Sequence, residues 1–418
     1  MRCFLLKKLE GSAFSSKISR LFILLERYPI YYLVACLFLL IGFEIASQAM
    51  FVVNFSSAIQ VSISTILLYN ALIIFVSLVV NYLSFFFIIR YSRIHIIKFA
   101  CLCFILADAI LFVLLNAHVF KHYLVCFYLI SMMLQGLSLG LLYPVLNNIV
   151  LDSQETQKMK AALLSFFNAL WNVGYFFSGM FFAIFSSIGC ASAMYVILAM
   201  FFVIVLTFNV GDDVHRDSSF TKNTKAFSFF RLSNSVLLAG FLGFIVTYSQ
   251  SVIEYWFPVF LHVNLHFTAT YIGMFSSLFA LGQFLGRIVI GYYVLPKVNL
   301  NIFLLSMLFL LGVLVYSFTG ISICALLGFI VFMIGIVTSC LIPVVMSMSC
   351  SDTPALTSSY LVFMNTFGSI TSFFVISYFS NVTLCLTGIR SVIYLFLVSL
   401  MICLLKVYTV KCEQIRVS

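Results

Sequence analysis

Along this chain long apolar runs alternate with short breaks, each break being a charge, a Gly or Pro, or a small polar cluster. Twelve runs can be drawn, at 29 to 53, 64 to 89, 94 to 116, 123 to 148, 161 to 186, 190 to 208, 236 to 261, 270 to 294, 300 to 319, 322 to 348, 355 to 380 and 387 to 408. The thinnest breaks are Ser187 to Gly189 and Thr319 to Ser322, where almost no polar residue intervenes. A helix of about 20 apolar residues crosses a hydrocarbon core of about 30 Å, and its backbone bonds are satisfied internally. The pattern therefore predicts an all-α membrane protein with twelve transmembrane helices.

Charge sets the direction of the chain, because Lys and Arg accumulate on cytoplasmic loops. With the N-terminus inside, the inner segments hold all of the 22 basic residues except Lys121 and Arg390. Losing or adding one helix would invert every later loop and scatter that split, so count and orientation support each other. Both termini are expected in the cytoplasm. Residues 1–28 are basic, lack the apolar core of a cleavable signal and run into the first span. There Phe14, Ile18, Leu21, Phe22 and Leu25 recur at helical spacing opposite Ser15, Lys17, Arg20 and Arg27. That is the pattern of a helix lying on the inner membrane surface, with a disordered basic tail as the alternative.

The longest polar stretch, Asn209 to Arg231, carries Asp212, Asp213, Arg216, Asp217, Lys222 and Lys225 and divides the chain in two. The expected organisation is a basic cytoplasmic segment (1–28), a first six-helix half (29–208), a central cytoplasmic loop (209–235), a second six-helix half (236–408) and a cytoplasmic tail (409–418).

Composition removes the competing classes. Hydrophobic residues make up 64% of the 418 and charged residues 8%, against about 45–50% and 25% in soluble domains. So little charge cannot clothe a water-soluble surface. A soluble enzyme, a nucleic-acid-binding module and a disulfide-rich scaffold are excluded, and the net charge of +10 is a topology signal. The 12 Cys are scattered through apolar spans without metal-ligand spacing. His95, His118, His122, His215, His262 and His266 sit near loops without a constellation of acids or cysteines, which argues against zinc. No phosphate-cradling Gly-rich loop ending in Lys is present, so direct ATP hydrolysis is not expected, and neither is any cofactor.

Parallel halves related by an axis normal to the membrane leave weak internal similarity. Gly136 and Pro144 of the fourth span recur as Gly335 and Pro343 of the tenth, both offset by 199. Asn168 recurs as Asn365 at offset 197, and Ser47-Gln48 as Ser249-Gln250 at offset 202. With two parallel six-helix halves, a polar central loop and both termini inside, nearly the whole chain resembles the major facilitator superfamily. The most specific local match is Gly282-Gln-Phe-Leu-Gly286-Arg287-Ile-Val-Ile-Gly291, similar to the Gly/Arg-containing motif after the family's eighth helix. The resemblance implies a gating role for Gly286 and Arg287. The first-half counterpart, Arg90-Tyr-Ser-Arg93-Ile-His-Ile-Ile-Lys98, lacks the family's usual Gly and Asp. Glu254-Tyr-Trp256-Phe-Pro258 looks like the acidic-then-Trp pattern of the fucose-permease-like branch. In the resembled fold, spans one, four, seven and ten line a central cavity and spans three, six, nine and twelve lie outside it.

An ionisable side chain inside a bilayer costs about 2.5–3.5 kcal/mol on insertion scales, so it is a functional candidate by default. The acids within spans are Glu44, Asp108 and Glu254. A carboxyl that alternates between wet and occluded surroundings can take up and release a proton. All three are proton-coupling candidates. The plain alternatives are a hydrogen bond to a neighbouring helix for Glu44, snorkelling for Glu254 and a structural role for Asp108, which the resemblance puts on a peripheral helix. Gln48, Tyr143, Asn147, Asn168, Trp171, Gln250, Trp256 and Asn365 are candidate substrate-binding residues. Amides pair donors with acceptors and indole offers a flat apolar face, a mixture that suits small polar organic solutes. Interhelical hydrogen bonding is the alternative for each amide.

The expected function is secondary active transport of a small polar organic solute by alternating access, coupled to protons. Efflux of toxic compounds, uniport and a non-transporting receptor with the same fold are the alternatives. No enzymatic activity is expected. The expected partners are a small-molecule substrate, protons and the lipid bilayer, without nucleic acid, for a monomer in the plasma membrane.

Overall fold

The structure, a computed structural model, describes residues 29–116, 123–151, 157–208, 234–263, 265–289, 310, 314, 324–347 and 363–374. Among these residues helices are the regular structure and no strand occurs. In chain order they are α1 (Pro29–Met50), α2 (Val52–Ile59), α3 (Ile63–Arg90), α4 (Arg93–Asn116), α5 (Leu124–Leu151), α6 (Gln157–Ser187), α7 (Ala193–Thr207), α8 (Asn234–Val263), α9 (Ala269–Val289) and α10 (Cys324–Ser347). Residues 363–374 form α11. Six of them, α1, α3, α4, α5, α6 and α9, contain stretches long and apolar enough to cross a membrane.

Predicted spans one to six correspond to α1, α3, α4, α5, α6 and α7, and spans seven, eight, ten and part of eleven to α8, α9, α10 and α11. Span twelve, span nine apart from Leu310 and Leu314, the N-terminal basic segment, the central loop and the C-terminal tail lie outside the described residues. One local feature is finer than the pattern suggested: the first run breaks at Phe51, and the short α2 follows. Helix α2 stops at Gln60, whose left-handed backbone (φ 62°, ψ 40°) lets its N–H bond the Ser56 carbonyl. Ser62 then caps α3, its hydroxyl accepting from the Thr65 N–H at 3.2 Å, as expected of Ser in an N-cap.

Within the first half α1 packs on α6, α3 on α5, and α4 on both α5 and α7; in the second, α9 packs on α10. Large apolar faces such as those of Phe75, Leu106 and Phe329 point outward. Lipid is as apolar as leucine, so close packing rather than water exclusion holds such helices together. Small residues provide that approach. A Cβ on Gly42 of α1 would overlap the carbonyl of Trp171 on α6, and a Cβ on Gly368 of α11 would overlap the carbonyl of Phe244 on α8. The repeat offsets of 202 and 197 carry Gly42 onto Phe244 and Trp171 onto Gly368. The first crossing also seats Gly174 of α6 against Leu39 and Phe43 of α1, so there both helices contribute a glycine. On α5, Gly136 and Gly140 lie against Ile73, Val76, Ser77 and Val80 of α3, a small-residue step that brings the two helices close.

The halves meet along α6 and α9, which run antiparallel in one register. Gly273 lies against Gly179 and Ala183, the Ser277 hydroxyl donates to the Phe176 carbonyl at 2.9 Å, and the rings of Tyr175 and Phe279 lie 6.4 Å apart. At the far end the Arg287 guanidinium donates to the Asn168 carbonyl.

Candidate functional site

Each half folds a carboxyl against two glutamines. In the first half the i to i+4 spacing stacks Glu44 and Gln48 on one face of α1, and Gln48 Nε2 donates to Glu44 Oε1 at 3.3 Å. Gln135 Nε2 reaches the same oxygen from α5. Asp108 projects from α4 to within hydrogen-bonding reach of Glu44. Both acids are sealed, Glu44 at 1% and Asp108 at 0% exposure. Glu44 Oε2, both Asp108 oxygens, Gln48 Oε1 and Gln135 Oε1 are buried without a hydrogen-bond partner among the described residues. Outside this cluster the Tyr128 hydroxyl donates to Asn70 Oδ1 at 2.6 Å.

In the second half Gln250, one turn before Glu254 on α8, donates to Glu254 Oε1 at 2.7 Å, and Gln283 donates from α9 at 3.3 Å. Pro258 has no N–H, so the Glu254 carbonyl four residues earlier loses its helical partner. The Tyr175 hydroxyl supplies the missing donor from α6, across the seam between halves, at 3.4 Å. Glu254 remains half-buried, unlike Glu44. Arg287 lies one turn beyond Gln283 on α9, and its charge acts on both Glu254 and Tyr143.

The first half supplies the facing wall. Tyr143 and Asn147 stand one turn apart on one face of α5, and the Tyr143 ring meets that of Trp171 edge-on with centroids 6.3 Å apart. Tyr143, Asn147, Asn168, Trp171, Gln250, Glu254 and Arg287 are all half-buried. The structure thus draws these predicted residues, from both halves, into one polar zone around Arg287. Asn168 takes part through its backbone carbonyl. Gly286 is a packing residue, since a Cβ there would collide with Ser339 and Ile336 of α10. Asn365 stands apart on α11, half-buried with Oδ1 unpartnered among the described residues, and the Trp256 side chain lies outside them. Gln135, Gln283 and Tyr175 carry contacts that the sequence reading did not assign. The available signal was an amide inside an apolar run, which looks the same whether it binds a carboxyl or a neighbouring helix. Among the described residues no group of three or more His, Cys, Asp or Glu could hold a metal ion.

Two helical halves meeting along one antiparallel helix pair, with polar side chains from both converging beside that seam, define a multi-pass membrane transporter. The chain matches the family model of the Major Facilitator Superfamily over residues 33–376 and belongs to that superfamily, so it is a transporter and not an enzyme. It is similar to the crystal structure of a D-xylose-proton symporter, with a TM-score of 0.69 and 15% identity, covering 90% of this chain and 96% of that one. At that identity the likeness establishes the fold. No curated protein matches the chain.

Proposed function

We propose that the protein is a secondary active transporter that carries a small polar organic solute by alternating access and couples it to protons. The observation that carries this reading is the convergence of Tyr143, Asn147 and Trp171 from the first half with Gln250, Glu254 and Arg287 from the second. In an alternating-access carrier the solute is held between two moving halves, so both must contribute contacts. Hydroxyl, amide, carboxylate and guanidinium groups beside an indole face suit a polyhydroxylated or zwitterionic solute. The D-xylose-proton symporter makes a neutral sugar the first candidate.

Energy enters through the carboxyls. Glu44 binds the proton, Glu254 orients the solute, and the Arg287 contact with the Asn168 carbonyl latches one end of the seam between the halves. Gly286 serves that gate by letting α9 and α10 approach closely. The reading takes the chain as twelve transmembrane helices in parallel halves (29–208 and 236–408), both termini cytoplasmic, working as a monomer in the plasma membrane.

Purified protein in liposomes loaded with a pH-sensitive dye tests it. D-xylose is added first, then panels of pentoses, hexoses, amino acids and nucleosides. Solute-dependent proton entry is the expected result; neither proton entry nor solute counterflow with any of these classes overturns the reading.

A further inference from the structure

The first-half carboxyl pair raises a question of donors. Glu44 Oε1 takes both glutamine N–H groups, while Glu44 Oε2 and both oxygens of Asp108 have no donor among the described residues. The nearby serine hydroxyls are committed elsewhere: Ser47 donates to the Glu44 carbonyl, Ser131 to the Tyr128 carbonyl, and Ser138 to the carbonyls of Ala100 and Leu134. The Tyr195 hydroxyl is buried without a hydrogen-bond partner among the described residues, so it makes no bond to either carboxyl. The other titratable groups that act on the pair are the phenols of Tyr195 from α7 and Tyr255 from α8, with Tyr128 of α5 acting on Tyr195. No Lys, Arg or His among the described residues acts on either carboxyl. Two sealed carboxyls within hydrogen-bonding reach of each other repel if both are ionised, and burial without a cation adds a desolvation cost. A proton between them supplies the missing donor and removes one charge.

We propose that Glu44 and Asp108 form one proton-storing site, held among α1, α4, α5 and α7 away from the solute, with Asp108 as the partner carboxyl that keeps the proton in place. The inference rests on the proton-coupled reading above and extends it to a helix that the fold places at the periphery. Among the described residues no second carboxyl acts on Glu254, which places storage in the first half. Because the two groups interact strongly, they titrate as a unit and neither holds the proton independently.

Infrared difference spectroscopy of the purified full-length protein, between acidic and alkaline buffers in choline chloride, tests this without any solute. Wild type is expected to show a deuterium-sensitive carbonyl band of a protonated carboxyl. Glu44→Gln and Asp108→Asn each remove it, and the double variant removes nothing more. Should Asp108→Asn fail to fold, Asp108→Glu carries the test: the band is then displaced from its wild-type position. A wild-type band surviving unchanged in either Asp108 variant overturns the proposal. So does its loss on replacing choline with sodium at constant pH, which would assign the site to a metal cation. Loss of the band in Glu44→Gln alone leaves proton coupling standing and removes only the dyad; a normal dyad band without solute-driven proton entry does the reverse.

Discussion

In the first half Glu44 is clasped by Gln48 and Gln135 and fully sealed; in the second Glu254 is clasped by Gln250 and Gln283 and stays half-buried. The glutamines Gln48 and Gln250 correspond under the repeat offset of 202, yet the acid lies four residues before its glutamine in α1 and four after it in α8. At about 1.5 Å per residue, that moves the second carboxyl about 12 Å along the equivalent helix. There it meets the Pro258 break, Tyr175 and the charge of Arg287, where the first meets Asp108. The same residue types, one carboxyl and two glutamines, thus occur at both sites. A shift of about two helical turns is enough to put one carboxyl beside a second acid and the other beside the Tyr143, Trp171 and Arg287 side chains.

That division of labour can be broken most decisively at Glu44. Glu44→Gln is expected to abolish proton-driven uptake in liposomes while solute counterflow persists; uptake that keeps its pH dependence would make the two sites equivalent. Glu254→Gln is expected to weaken solute binding while leaving pH dependence in place. Hydrogen bonds to charged groups contribute about 1.5–3 kcal/mol, which corresponds to about 10- to 150-fold in apparent affinity. A fall in maximal rate at unchanged affinity would move the solute away from Glu254.

Packing gives a smaller contrast. Gly42→Val and Gly368→Val put a side chain into the corresponding crossing of each half, and overpacking costs about 1–3 kcal/mol. Both variants should lower the thermal midpoint in detergent by similar amounts, and a neutral Gly42→Val would show that α1 and α6 do not approach so closely. Tyr175→Phe should have the smallest effect, since one hydrogen bond is worth about 0.5–1.5 kcal/mol. It should shift the balance between the two accessible faces by about two- to twelvefold, read from the labelling rates of single cysteines on each side. No shift would mean that the Glu254 carbonyl finds its donor elsewhere.

Much of the framework was legible in the residue order. The apolar runs for α1 and for α3 to α10 stand out because lipid selects run length. The candidate acids were also visible, since any carboxylate in an apolar run is conspicuous. Their partners were not. Asp108 reads from its span as peripheral, and nothing in the local sequence tells that α4 turns it toward Glu44. Gln135 and Gln283 are single amides whose meaning depends on what faces them across a helix contact, and Tyr175 matters because Pro258, on another helix, strands a carbonyl beside it.

The sequence by itself determined that the chain is helical and lives in a bilayer, because helix length and apolar composition are local properties matched to bilayer thickness. Only the tertiary structure decided which carboxyl is sealed with a second acid and which stands beside Tyr175 and Arg287. Those choices depend on the rotation and crossing of each helix against its neighbours, and they are set by where a glycine lets two backbones touch.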